Sequence, residues 1–412
     1  MIEFRTYDSE RDRKATHRIW REVGWLKEGK EQEEAMDLFV QSGRALVAEV
    51  RGEAESLAMS LPGTLRYLDE ELPFTGVSGV TTSRVARKQG LAGRLTAQLI
   101  AQEVAAGALV AGLGMFEQGF YNRLGFGTGP YEHWLGFDPA QLRLDVRSRI
   151  PHRITSEDWA EVHACRLTRH RGHGAINLEP AESTRAEMLL TENGFGLGYY
   201  DGPDGELTHH LWFNGGDKEH GPYNVWWYAY QTLDQFLELM ALLRTLGDQI
   251  RLVRMREPRD IQFQDLLKQP FRHRQLTEKS KFESRANATA YWQARICDLS
   301  ACLAKTHLRC ETVRFNLQLT DPIEDFFDHD APWSGIGGEY IVTLGPESAA
   351  ERGSDPALPV LKTSVNAFTR LWMGGRPATG LAVTTELSGP PELMAALDRL
   401  LCLPEPRLDW DF

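Results

Sequence analysis

Cysteine is scarce in this chain and unpatterned. Cys165, Cys297, Cys302, Cys310 and Cys402 contain no C-x-x-C pair, and the odd count supports neither a disulfide framework nor a zinc site. Long apolar runs are missing too. The longest, Gly107 to Phe116, is too short to cross a bilayer, and the N-terminus is charged from Glu3 onward without a leader-like apolar core. Basic residues are in deficit: 46 Lys and Arg stand against 58 Asp and Glu, a net charge of −12. That balance disfavours a nucleic-acid binder and suits cationic substrates or partners. No Gly-x-Ser-x-Gly elbow supports a serine hydrolase. A soluble, cytoplasmic protein without a membrane span is expected.

What remains is ordinary globular composition, 42% hydrophobic and 25% charged over 412 residues. At roughly 150 residues per domain, two or three domains are expected. Residues 1–140 alternate strand and helix signals. Helical spacing runs over 10–22 and 31–42, strand patterns over 45–50, 56–61 and 76–85, and a further helix follows from Leu91. Residues 141–285 repeat the order: Gly-Pro-Asp-Gly marks a hairpin between 194–201 and 207–213, then come a strand at 223–230, a helix at 233–246 and a strand at 249–255. The turn after Tyr230 lacks glycine, so the second unit reads as a duplicate that has lost a phosphate turn. Residues 286–412 differ. They show strands at 313–319 and 340–344, a loop at 345–358, and helices at 364–373 and 391–401. Cys297 and Cys302 read as packing residues of a buried helical stretch. The tail ends Leu-Pro-Glu-Pro-Arg-Leu-Asp-Trp-Asp-Phe; its stiffening prolines and terminal aromatics predict that it docks into the body.

The strongest local pattern is Arg87-Lys88-Gln89-Gly90-Leu91-Ala92-Gly93, between a Val/Thr-rich strand and a helix. Free N–H groups and the helix dipole make such a turn a pyrophosphate seat. Gly90, Ala92 and Gly93 leave the approach open, and Arg87 and Lys88 add charge.

Arg-x-x-Gly-x-Ala in that setting resembles the acyl-CoA motif of the GNAT N-acetyltransferases. Gly119-Phe120-Tyr121-Asn122-Arg123-Leu124-Gly125-Phe126 resembles their second hallmark, at the expected distance. Over its full length the chain is similar to the Eis (enhanced intracellular survival) acetyltransferases, with supporting residues Phe368 to Pro377 and the end Asp409-Trp410-Asp411-Phe412. The resemblance implies an α/β (α+β) chain: a GNAT domain at 1–140, a degenerate GNAT-like domain at 141–285, and a sterol-carrier-protein-like domain at 286–412 with a docked tail. It also implies a homohexamer of two stacked trimers, and acetyl transfer from acetyl-CoA, without a metal, to primary amines such as aminoglycosides.

Carried onto this chain, the resemblance places the pantetheine arm on Val80, Thr81 and Thr82. It places the pyrophosphate on Lys88, Gln89, Gly90, Leu91, Ala92 and Gly93 beside Arg87, and the acyl end at Phe116 and Glu117. The family often has Ser where this chain has Phe116, which leaves a backbone or packing role there. Tyr121 becomes the general acid and the α-carboxylate of Phe412 the general base. A phenol of ordinary pKa near 10 can donate at neutral pH, whereas an α-carboxyl near 3.5 needs burial or a relaying water to accept.

The acceptor site is less sharply written. Trp20, Trp25 and Phe39 lie in the first helices. Asp69, Glu70 and Glu71, and the stretch Asp321, Glu324, Asp325, Asp328 and Asp330, are acidic groups that could draw in a cation or form solvated loops. Gly24-x-x-x-x-Gly29-Lys30 fails as a nucleotide loop because Glu31 stands where Ser or Thr is needed. His170, His173, His209 and His210 lack metal spacing and read as loop or surface residues. Two other readings stand beside the small-molecule enzyme. One is an acetyltransferase of lysine side chains or small specialised amines; the other is a non-catalytic lipid-binding or regulatory module.

Overall fold

The computed structural model describes residues 2–115, 117–272, 278–309, 311–327 and 331–412. Among the described residues the strands form three sheets of eight, seven and four strands. The first runs Ile2–Thr6, Arg44–Val50, Glu53–Tyr67, Glu70–Thr82, Val110–Gly114, Trp292–Ile296, Gly127–Thr128, with Ile176–Leu178 added against Glu53–Tyr67. The second runs His152–Ile154, Gly194–Tyr200, Leu207–Asn214, Tyr223–Ala229, Val253–Arg256, Glu132–Phe137, Arg285–Thr289.

Read position by position, these two orders are the same. In each, the fourth and fifth strands are parallel and joined by a helix, Leu91–Ala105 or Leu233–Thr245, and the other neighbours along the run are antiparallel. The sixth strand of each sheet, however, comes from the other half of the chain. Chain 127–137 starts in the first sheet and finishes in the second; chain 285–296 does the reverse. The sheets therefore do not divide at residues 140 and 285, because both lobes share two crossing segments. Sequence alternation marks such strands without saying which sheet they join.

The third sheet, Ala349–Arg352, Gly338–Leu344, Val313–Thr320, Val360–Ser364, shares its apolar core with the helices Val365–Trp372, Ala378–Thr384 and Pro391–Leu400. A strand occupies 349–352, inside the stretch expected to be loop; small and polar residues suit an edge strand with exposed side chains. One continuous apolar core joins this layer to the first sheet through Phe74, Trp292, Leu319, Phe368 and Trp372. Cys302 is buried in the helix Leu299–Ala304 and Cys297 just before it; Cys310 lies outside the described residues. No helix among the described residues is long and apolar enough to cross a membrane.

The histidines correct the surface expectation. His170 is exposed, but His173, His209 and His210 are buried. His209 pairs with Glu238 at 3.2 Å, and Arg149 lies across Glu238 and Asp201 at 2.8 and 2.6 Å, so a guanidinium fills that acidic group. His173 Nδ1 accepts from the Leu68 N–H at 3.1 Å and its Nε2 donates to Met373 O at 2.9 Å. His210 Nε2 accepts from the Trp227 indole at 3.1 Å, which leaves Nδ1–H to face the Cys165 sulfur at 3.3 Å. The proton sits on the wrong nitrogen for that pair to work as a thiol and its base. Burial pushes His173 down to about 4 and His210 to about 3. Both take up protons on unfolding below pH 6.5, the ordinary histidine value, so their contribution is complete above that pH and is lost as pH falls towards 4. The melting temperature is expected to drop steeply between pH 6.5 and 4 and to drop less in His173→Gln; scanning calorimetry across that range checks it.

Candidate active site

The site begins where the parallel pairing in the first sheet fails. Glu70–Thr82 and Val110–Gly114 pair at Phe74–Val110, Thr75–Ala111 and Gly76–Gly112, and no further. On the other side of Glu70–Thr82 the register slips: Met59 faces Ser78, but Leu57 faces Thr81, so Gly79 and Val80 form a bulge with Gly79 at φ +61°. An extra residue bends the strand away from its neighbour and leaves backbone groups of 77–82 without a ladder on the open side. Those are the groups a pantetheine arm could pair with. Val80 and Thr81 are buried and Thr82 half-buried; the Ser56 hydroxyl donates to Thr81 O at 2.8 Å and lies 2.8 Å from the Thr82 hydroxyl.

The strand then leads to the basic turn. Arg87, Lys88, Gln89 and Gly90 are all exposed, with Lys88 at φ +63° and Gly90 at φ +75°. Leu91–Ala105 starts with no side-chain cap and no acidic residue in its first turn. The matching helix of the second sheet is closed: Thr232 and Gln235 cap it reciprocally and Asp234 adds negative charge. The two turns thus differ in what they leave open: the first helix start keeps its N–H groups uncapped and the second does not.

Gly93 also has a packing role. It is buried, and a Cβ there would lie 2.7 Å from Phe326 Cε1, so its small size admits that ring from the C-terminal region. Leu91 is buried in the core and Ala92 half-buried.

Tyr121 opens a short helical turn, Tyr121–Leu124, and is packed in the core that also holds Val77, Val80, Leu91 and Leu113. The exchanged strand and the helix Val365–Trp372 fix this turn. Gln293 Nε2 donates to Asn122 Oδ1 at 3.0 Å, Arg295 donates to Leu124 O, and Asn366 donates to Asn122 O and Phe126 O at 2.7 and 2.9 Å. Arg295 is itself buried and paired with buried Asp321 at 2.7 Å. The Tyr121 hydroxyl has no hydrogen-bond partner among the described residues. Burial raises its pKa well above the usual tyrosine value, so it carries its proton through the physiological range. Glu117 is exposed, and Phe116 lies outside the described residues.

Phe412 arrives from the far end of the chain. Its ring packs edge-on to Phe74 at 6.1 Å between centroids and lies over Gly76, where a Cβ would come within 2.8 Å of it. Phe412 thus sits on the last paired residue before the splay. The tail runs beside Ile176, with Leu408 O accepting from its N–H at 3.1 Å, and passes a narrow cleft lined by Arg166, Arg169, Trp226, Tyr228 and Arg256.

Several residues considered for the acceptor do other work. Trp20 is fully buried in the core, whereas Trp25 is 44% exposed and Phe39 half-buried. Glu70 pairs with Lys305 at 2.9 Å, Glu71 with Arg171, and Asp69 is exposed. Asp321 is spent on Arg295, and Glu324 accepts from the Gly337 N–H at 3.1 Å; Asp328 and Asp330 lie outside the described residues. The residues of the exchanged strand, Gln293 and Arg295, escaped sequence reasoning because their partners lie about 170 positions away.

Replacing Gly93 by Ala is expected to cost about 1–3 kcal/mol by overpacking against Phe326. The melting temperature should fall while acetyl-CoA affinity stays within about threefold; calorimetric titration and a thermal melt separate this from a phosphate-approach role, which would give the opposite pattern.

Residues 4–129 match the family model described as an acetyltransferase (GNAT) domain. A search of curated proteins gives no match. Among solved structures, a probable N-acyltransferase from Enterococcus faecalis superposes with TM-score 0.79 at 16% identity, covering 100% of both chains. A GCN5-related N-acetyltransferase from Anabaena variabilis gives 0.77 at 14%, and Eis1 from Mycobacterium abscessus 0.75 at 16%, each again covering 100% of both chains. The shared fold therefore extends over all three sheets. The splayed strand and uncapped basic turn lie inside the matched segment, so the chain carries a GNAT acetyltransferase domain and is on that basis an N-acetyltransferase.

Proposed function

We propose that the chain is an Eis-type enzyme that moves acetyl from acetyl-CoA to the primary amine of a cationic small molecule, of which an aminoglycoside is the model. Two observations support this reading: Phe412 packs over Gly76, the last paired residue before the splay, and Tyr121 shares a core with Val77 and Val80 just beyond it. Pantetheine pairs with the free backbone of Val80–Thr82, and the pyrophosphate sits over Gly90 beside Arg87 and Lys88. A neutral amine attacks the thioester carbonyl, the tetrahedral intermediate expels the CoA thiolate, and Tyr121 protonates the sulfur. The proton lost by the amine passes to the Phe412 α-carboxylate, directly or through a water. No covalent acyl-enzyme is needed. The net charge of −12 favours approach of a cation in a salt-dependent manner. In this reading the 286–412 region is the sterol-carrier-like unit, and the assembly is the family's hexamer.

Tyr121→Phe is expected to lower kcat by about 10²–10⁴-fold, the usual scale for losing a general acid, while acetyl-CoA binds within about threefold. CoA release and calorimetric titration check the two halves. Adding three residues after Phe412 moves the carboxylate out of place and is expected to lower kcat at least tenfold, read in the same assay across aminoglycosides, diamines and lysine peptides. Full activity of the extended chain would remove Phe412 as the base.

A further inference from the structure

The second sheet repeats the splay of the first. Tyr223–Ala229 and Val253–Arg256 pair in parallel at Tyr223–Val253 and Asn224–Arg254 and then part. On the other edge, Phe213 faces Val225 but Trp212 faces Trp227, so Trp226 is bulged out as Gly79 and Val80 are in the first sheet. The cleft that opens there is not free. Its wall includes Arg407, Asp409, Trp410 and Asp411 of the chain's own tail.

The tail is held at each step. Arg407 Nη1 donates to Glu257 O at 3.0 Å, and Arg169 Nη2 lies 2.7 Å from Asp409 Oδ1. The Trp410 ring, 2% exposed, takes the Arg166 guanidinium at 3.7 Å and Arg169 at 5.1 Å. Asp411 receives Arg256 Nη2 at 2.8 and 2.9 Å and the Tyr291 hydroxyl at 2.7 Å. Tyr291 in turn joins the first sheet, its carbonyl accepting from the Met115 N–H at 2.6 Å. One residue later comes Phe412, over Gly76.

We propose that the splay of the second sheet is a socket for the chain's own tail, and that Asp411, gripped by Arg256 and Tyr291, is the positioning residue that aims the Phe412 carboxylate into the first splay. The inference rests on Phe412 as the proton acceptor. It gives the second lobe, whose helix end is capped against phosphate, a part in the reaction: it holds the base. An amide at 411 keeps the shape but loses the ionic grip, and the terminal residue then samples many orientations, which costs turnover more than cofactor binding.

The test compares Asp411→Asn, Arg256→Gln and Tyr291→Phe with the Phe412-extended chain. Read in each are kcat, the KM for acetyl-CoA, the melting temperature and the rate at which carboxypeptidase A releases Phe412 from the unextended chains. The expected result is faster release of Phe412, kcat lowered about tenfold or more in Asp411→Asn and Arg256→Gln and less in Tyr291→Phe, with KM for acetyl-CoA within twofold. Asp411→Asn with unchanged kcat and unchanged release, beside an inactive extended chain, overturns the socket while leaving the base in place. An active extended chain overturns the base and the inference with it. Should Asp411→Asn fail to fold, Tyr291→Phe, which removes one hydroxyl, decides by the same two readouts.

Discussion

The first sheet loses its parallel pairing after Gly76 and Gly112, and the chemistry proposed for this chain depends on that break. A continuous ladder would consume the backbone groups of 77–82 and leave no slot for a thioester. The break has a local cause: one extra residue at Gly79–Val80, made possible by the left-handed conformation of Gly79. The uncapped helix beyond it supplies the positive end of a dipole, and the buried Tyr121 a phenol that keeps its proton. Each of these is a small departure from regular structure, and their value lies in falling at the same end of two adjacent strands.

The second lobe has the same architecture with those departures turned to another use. Its splay survives, but Thr232 and Gln235 close the helix end and arginines fill the walls. Leaving out the tail's own Arg407, Asp409 and Asp411, four guanidiniums (Arg166, Arg169, Arg256, Arg259) face two carboxylates (Glu187, Glu257), which makes a poor cation site and a good holder for an acidic, aromatic peptide such as Asp409-Trp410-Asp411. Buried or half-buried ion pairs stabilise weakly on balance, since desolvation offsets much of the Coulomb gain. What they supply here is a fixed path for a segment without secondary structure.

Local patterns were legible from the residues alone. The turn at Arg87–Gly93, the Tyr121 motif, the 194–214 hairpin and the docking of an apolar tail all rest on short-range signals, and the structure has a turn, a helix start, a hairpin and a docked tail there. What could not be read was nonlocal. Glu132–Phe137 and Trp292–Ile296 are unexceptional strands by composition, and the exchange between sheets is decided by partners more than a hundred residues away. That Gly93 also makes room for Phe326 could not be read from the motif, because the ring lies 233 positions on. The histidines misled for a related reason: His173 and His210 have every ring nitrogen satisfied by groups that come together only in the folded chain.

The exchange of strands also sets an order on biosynthesis. The first sheet cannot close around the Tyr121 turn until residues 292–296 have left the ribosome, and the strand at 132–137 must wait for 253–256 and 285–289 before both its edges are covered. For much of translation the growing polypeptide therefore exposes an open β-edge in each half. Such open edges are prone to pair with other chains, and here only the two crossing segments close them.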